Sequence, residues 1–196
     1  MAEPGTRDRI LDATAELYRH QGMAATGLKQ ISAAARAPFG SIYHHFPGGK
    51  EAITAEVIRC EGVRYGAFVG AQLAGTDPAT GIPQLFENAG ALMASQDYRE
   101  ACSIETIALE VASTNEALRQ ESAAVFESWL AGLAAWFGHL DITEEQCRQL
   151  AVITLTALEG AFVLCRTLRS VEPIVIAGRG VQAAVSAIIA DGAATG

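Results

Sequence analysis

The sequence predicts an all-α protein. Residues 1–49 read as a three-helix helix-turn-helix domain, and residues 50–196 as a longer helical body whose first helix, 50–73, joins the two. Three observations carry this. Apolar residues recur at helical spacing along most of the chain. Half of the 196 residues are hydrophobic, yet aromatics are few and β-branched runs are short. Residues 26–51, TGLKQISAAARAPFGSIYHHFPGGKE, set two short helices about a tight turn.

The first helix is expected from Arg7 to Gln21, with Ile10, Leu11, Thr14, Leu17 and Tyr18 on one face and Gly22 as its stop. Thr26 stands where an N-cap belongs, ahead of a second helix from Leu28 to about Ala35 that buries Leu28, Ile31 and Ala34/Ala35. Arg36-Ala37-Pro38 breaks that pattern. Proline has a fixed φ and no N–H, so Pro38 suits the first turn of a third helix, Phe39 to about Phe46. In that helix Ile42 and Phe46 face a core. Gly40, Ser41, Tyr43, His44 and His45 are poor core formers and suit a phosphate-lined groove. Pro47-Gly48-Gly49 turns the chain into the connecting helix, Lys50 to about Leu73. Pro78 and Gly81-Ile82-Pro83 read as a connection, with further helices expected at 83–95, 102–113, 116–139, 143–169 and 174–190.

A net charge of −8 looks wrong for a nucleic-acid binder until it is divided. Residues 1–50 hold 6 basic and 4 acidic residues, and residues 51–196 hold 8 basic and 18 acidic. A mildly basic head would meet phosphate and an acidic body would face away. So weak a head predicts poor non-specific DNA binding and a need for two heads acting together.

The block from Arg7 to Ile58 resembles the N-terminal DNA-binding domain of TetR-family transcriptional regulators. The matching residues are Gly22, Thr26, Gly40-Ser41-Ile42-Tyr43-His44-His45-Phe46 and Lys50-Glu51, and the extra glycine in PGGKE resembles the LmrA/YxaF-like branch. Two residues depart from the pattern: Arg36 stands where relatives commonly carry glycine, and Phe39 where they often carry a polar or basic residue. The resemblance implies a DNA-contacting set of Thr26, Lys29, Arg36, Pro38, Gly40, Ser41, Tyr43, His44, His45 and Lys50. Arg36 is either a phosphate contact or a solvated turn residue. Phe39 touches a thymine methyl or packs against the domain, and packing is the expectation. Gly40 either admits the DNA backbone closely or packs against the first helix. His44 and His45 are adjacent, so their side chains should diverge by about 100° and cannot chelate one metal.

The resemblance further implies a ligand pocket in the body and a four-helix dimer interface made by the last two helices. Expected pocket residues are Phe68, Met93, Ile107, Val111, Phe126, Trp129, Leu133 and Phe162, with Glu159 as the sharpest polar anchor and Glu105 or Glu110 as others. Expected interface residues are Ala157, Gly160, Ala161, Leu164, Val181, Ala184, Val185 and Ile188. For both sets the plain alternative is intrachain core.

Other classes fit poorly. Cys60, Cys102, Cys147 and Cys165 are far apart and form no C-x-x-C pair, which speaks against a zinc site or disulfide framework and for small buried hydrophobes in a reducing compartment. There is no G-x-S-x-G and no complete phosphate-binding G-x-x-x-x-G-K-[ST]. No metal or cofactor is expected. MAEPGTRDR does not read as a signal peptide, and the apolar run Val152 to Cys165 looks too short to span a membrane, so a cytoplasmic protein is expected. The reading is a sequence-specific DNA-binding regulator and not an enzyme. It would be a homodimeric repressor released from a palindromic operator by a small, largely apolar effector. The alternatives are an activator of the same kind, or a helical ligand-binding or protein-interaction module with a vestigial head.

Overall fold

The computed structural model of the chain describes residues 5–100 and 102–195, with side chains through Ala190. The described residues form α1 (Thr6–Gln21), α2 (Leu28–Ala34), α3 (Phe39–His45), α4 (Gly49–Leu73), α5 (Pro78–Ser95), α6 (Ser103–Val111), α7 (Glu116–Phe137), α8 (Glu144–Leu168) and α9 (Glu172–Thr195), with no strand among them.

Two compact units emerge. One comprises Met1–Arg64 and Ala101–Val125, and the other Tyr65–Glu100 and Phe126–Gly196. Helices α4 and α7 therefore each supply residues to both. In the first unit α1 packs on α2, α3 and α6. Its core includes Ile10, Tyr18, Ile31, Ile42, Ile53, Ile58, Ile104, Ile107 and Leu118. In the second unit α9 packs on α5 and α8 around Ile82, Leu85, Phe86, Leu150, Leu158, Ile174 and Val181.

Helix α1 buries Ile10, Leu11, Thr14 and Tyr18, as its spacing predicts. It stops at Gly22, whose N–H donates to the Tyr18 carbonyl at 3.0 Å and whose φ of +80° suits glycine. The cap of α2 differs from expectation. Gly27 holds the N-cap position, and its N–H donates to Gln30 Oε1 at 2.8 Å. The Thr26 hydroxyl instead donates to the Gly22 carbonyl at 2.7 Å and accepts from Gln21 Nε2 at 3.0 Å. Thr26 thus spends its capping chemistry on closing the turn after α1 rather than on opening α2.

Helix α5 also departs from the sequence reading. It begins at Pro78, five residues before the expected start, and runs through Pro83. Asp77 caps it, its Oδ1 accepting from the N–H groups of Ala79 and Thr80 at 2.9 and 3.2 Å. Pro83 has no N–H to give the Ala79 carbonyl one turn back, and that carbonyl takes Gln182 Nε2 of α9 at 3.1 Å. A partner 103 residues away makes an internal proline tolerable. Helices α5 and α9 also meet closely at Gly178, where a Cβ would sit 2.8 Å from Phe86 Cβ.

Helix α8 and the Glu172–Ala190 part of α9 each reach a mean hydropathy of 1.6 over 18 residues and are long and apolar enough to cross a membrane. The expectation of a stretch too short for that does not hold. In α8 the apolarity serves two faces: Leu150, Ala151, Thr154, Leu158, Ala161, Phe162 and Cys165 are buried, while Val152, Val163, Leu164 and Leu168 are exposed.

Gln182→Ala should lower the urea unfolding free energy by about 1 kcal/mol, because it leaves the Ala79 carbonyl without its side-chain donor. Gln182→Glu, which has an acceptor where the donor stood, should cost at least as much.

Candidate nucleic-acid interface

At 100° per residue, α3 divides into two arcs. Ile42 and Phe46 point inward and are buried. Phe39, Tyr43, Gly40 and His44 follow one another around an outward arc of about 140°, and all four are exposed. Phe39 is 43% and Tyr43 49% exposed, their rings meeting edge-on at 5.9 Å. A Cβ on Gly40 would meet nothing within 4 Å, so the glycine opens outward and is not a packing residue. Ser41 and His45 follow on the His44 side of the arc, both half-buried. The His44 and His45 rings lie 4.9 Å apart, edge to face, closer than the divergence expected from their spacing. No group of three or more metal-ligating side chains forms among the described residues.

The turn before α3 is held at both ends. Arg9 Nε donates to the Ala35 carbonyl at 3.3 Å, and Ser32 Oγ to the Ala37 carbonyl at 2.7 Å. Arg36 adopts φ +48°, a left-handed conformation that explains why glycine suits this position. Pro38 is the N-cap residue of α3 itself, one position earlier than first-turn placement. Of the expected contact set, Thr26 is 1% exposed with its hydroxyl committed inside the fold, so its part is structural. Lys29, Arg36 and Pro38 are exposed, and Lys50 is half-buried in the first turn of α4.

A buried relay sets that first turn. The Tyr18 hydroxyl lies 2.7 Å from Thr54 Oγ1, and the Thr54 hydroxyl donates to the Lys50 carbonyl at 2.8 Å. Thr54 has one hydroxyl hydrogen and gives it to Lys50, so Tyr18 is the donor to Thr54. Burial pushes the Tyr18 phenol up to about 12, against the opposing pull of its bond to Thr54. Glu110 of α6 adds a second brace. Its carboxylate accepts from the N–H groups of Met23 and Ala24 at 3.1 and 2.6 Å. It was expected near a ligand, but it holds the α1–α2 turn instead. Nothing in one sequence pairs residues 86 and 87 positions apart.

Ion pairs absorb much of the head's charge. Arg7 pairs with Glu56 at 2.6 Å and lies 5.5 Å above the Phe46 ring, and Arg19 pairs with Glu61 at 2.8 Å. Hydrogen bonds from Arg59 and Arg7 hold the Glu56 carboxyl below the usual range. Lys29, Arg36 and Lys50 form no ion pair among the described residues.

The sequence matches the family described as "Bacterial regulatory proteins, tetR family" over residues 10–57. It matches "Transcriptional regulator LmrA/YxaF-like, C-terminal domain" over residues 78–180. The chain belongs to the TetR family of transcriptional regulators. The HTH-type transcriptional regulator LmrA of Bacillus subtilis is 27% identical over 176 residues, covering 89% of this chain and 93% of LmrA. Among solved structures, the regulatory protein TetR from Rhodobacter sphaeroides superposes with a TM-score of 0.82 at 19% identity, covering 91% of this chain and 98% of that one. A cysteine mutant of the TetR-family regulator CifR, complexed with 26-bp double-strand operator DNA, has a TM-score of 0.77 at 18% identity, covering 93% and 97%.

In this TetR-family chain the expected pocket residues separate. Ile107 and Val111 are core residues of the first unit, at 0% and 1% exposure. Met93, Trp129, Leu133 and Phe162 are buried in the second unit, Phe126 is half-buried and Phe68 is exposed. Trp129 packs against Tyr65 and Phe126, with ring centroids at 5.0 and 5.6 Å. Both carboxylate oxygens of Glu159 are buried. Two clefts of the first unit, about 200 and 380 Å³, contain none of these residues. Of the expected interface residues, Gly160 and Leu164 are exposed, Ala157, Ala184 and Ile188 half-buried, and Ala161, Val181 and Val185 buried within the chain. The last three are intrachain core because α9 packs that face onto α5 and α8. Cys60 is exposed and Cys102 half-buried, so only Cys147 and Cys165 are the buried hydrophobes expected. Although Cys60 is exposed, partial desolvation of its sulfur and the nearby Glu56 carboxylate push the thiol up, away from reactive thiolate character.

Two outcomes follow for the braces. The Tyr18 phenol is raised in the folded state, so its contribution is intact below pH 10 and lost as pH climbs toward 12. Urea unfolding at about pH 8 and pH 11 should show a larger loss in the wild type than in Tyr18→Phe, which has no phenol to titrate. Glu110→Ala should cost about 1–2 kcal/mol by removing the acceptor of two backbone amides, read as a shifted urea midpoint with unchanged helix content.

Proposed function

We propose that this TetR-family chain is a homodimeric, sequence-specific repressor that reads a palindromic operator through α3. A small apolar effector would release it. One observation carries the reading: the outward arc of α3 is exposed, and it joins a glycine open to close approach to a phenol and an imidazole. Laid in a major groove, that arc would bring Tyr43 to a phosphate or base edge and His44 to the groove wall. Lys50 joins an ammonium to the N-terminal turn of a 25-residue helix, a favourable place for phosphate. Lys29 and Arg36 would add phosphate contacts.

The dimer reading rests on the exposed apolar face of α8. Val152, Gly160, Val163, Leu164 and Leu168 all lie on it, and Ile176 and Gly180 are exposed on α9. A second copy of the chain covering this face would place two heads on one DNA and raise the affinity of a weakly charged head. The effector would bind among the aromatic and aliphatic residues of the second unit, with Glu159 as polar anchor. It would shift the population toward a form with lower operator affinity, by no more than its differential affinity. Helix α4 is the proposed lever, since it carries residues of both units. Whether bound protein represses or activates depends on where the operator lies relative to the promoter. The proposed location is the cytoplasm, where the DNA is.

Fluorescence anisotropy against DNA flanking the chain's own gene should show tighter binding than to scrambled DNA, and the preference should persist when salt is raised. Tyr43→Ala and Lys50→Ala should each weaken binding about tenfold, Lys50→Ala evenly across sequences. Leu164→Arg, on an exposed position, should yield folded monomers by analytical ultracentrifugation with greatly reduced affinity. Equal binding of flanking and scrambled DNA that high salt erases would count against a specific operator there.

A further inference from the structure

We infer that Phe39 is a specificity-determining residue that reads a thymine 5-methyl group in each half-site. The inference rests on α3 being the DNA-reading helix. Phe39 is the first residue of α3, and N-terminal residues of a recognition helix are those that meet base edges. Its side chain is not part of the domain core. It is 43% exposed, and its ring meets Tyr43 edge-on at 5.9 Å, itself 49% exposed. That contact restrains the phenyl on the outward arc rather than drawing it inward. The neighbouring Gly40 presents open space, so nothing between Phe39 and a groove floor holds the helix away.

The chemistry then narrows the target. A phenyl ring neither donates nor accepts a conventional hydrogen bond, so it gains nothing from the N7, O6, O4 or amino groups of the major groove. The one apolar group displayed there is the C5-methyl of thymine. Placing an exposed aromatic opposite any other base edge would desolvate polar atoms without replacing their hydrogen bonds. Phe39 therefore selects by what it cannot do as well as by what it can.

The test uses the full-length protein and a pool of random duplexes. Wild-type protein should enrich a motif with a thymine in each half-site that Phe39→Ala no longer enriches. Replacing those thymines with deoxyuridine, which removes only the methyl, should weaken wild-type binding roughly 3- to 10-fold per half-site. Phe39→Ala should bind the two duplexes equally, and Phe39→Leu, which keeps an apolar side chain, should retain part of the difference. Far-UV circular dichroism and the urea midpoint show that the variants are folded. An enriched motif indifferent to both deoxyuridine and Phe39→Ala overturns this inference and leaves the DNA-reading assignment standing. A protein that enriches no motif overturns both.

Discussion

The hydroxyl relay from Tyr18 through Thr54 to the Lys50 carbonyl is the constraint on which the head is built. Helices α2 and α3 have seven residues each, too few to hold helical form in water alone. They persist because longer elements frame them, and those elements must keep a fixed register. Apolar burial is non-directional, so buried Ile10, Ile53, Val57 and Ile58 alone do not set a register. A fully buried phenol does, because displacing it from Thr54 strands a donor away from water. The relay therefore holds the first turn of α4, and with it Lys50, against α1. Arg9 at the Ala35 carbonyl and Glu110 at the Met23 and Ala24 amides fix the two turns. Each of the loops that aim α3 is thus held by a side chain from another helix.

The ion pairs reframe the head's charge. Counted along the sequence, residues 1–50 carry a small positive excess. In three dimensions Arg7 and Arg19 face Glu56 and Glu61, which lie just beyond that window on α4. The basic groups still open to a partner are Lys29, Arg36 and Lys50. A head with three such cations and an outward arc of phenyl, phenol and imidazole is short on charge and rich in apolar and aromatic surface. If α3 reads DNA as proposed, such a surface would gain more from correct base edges than from phosphate alone.

Much of this architecture was legible in the sequence, because helical spacing and glycine or proline punctuation act locally. Ile42 and Phe46, four apart, defined the buried side of α3 and so its outward arc. Gly22 marked the end of α1 through a local φ requirement. What escaped was non-local. Thr26 had cap chemistry at a cap-like position, but Gln21 and the Gly22 carbonyl claimed its hydroxyl. Pro83 looked like a helix break, because Gln182 is invisible from a window around α5. Glu110 looked like a pocket carboxylate, because its two amide partners lie 86 and 87 positions earlier. Phe39 was expected to pack, and it is 43% exposed; apolar character alone does not say how far a neighbour covers a side chain.

Helix α8 shows the same ambiguity at larger scale. Spacing marks apolar positions but not which of them a single chain buries, so Ala161 was grouped with Leu164, its neighbour three positions on, although Ala161 is buried and Leu164 is 53% exposed. Burial distinguishes them: Ala161, Phe162 and Cys165 are inside, while Val152, Gly160, Leu164 and Leu168 are left to solvent. A helix apolar on both sides is costly to expose, since each uncovered aliphatic side chain forgoes roughly 1.5–3 kcal/mol of burial. Its mean hydropathy suits a membrane span, but a span would need an apolar surface around its circumference, and half of α8 is already occupied by its own chain. The remaining half is a stripe with Gly160 near its middle, narrow enough for one helix to lie along and small enough there for close approach. That exposed stripe is the surface on which the proposed dimer rests.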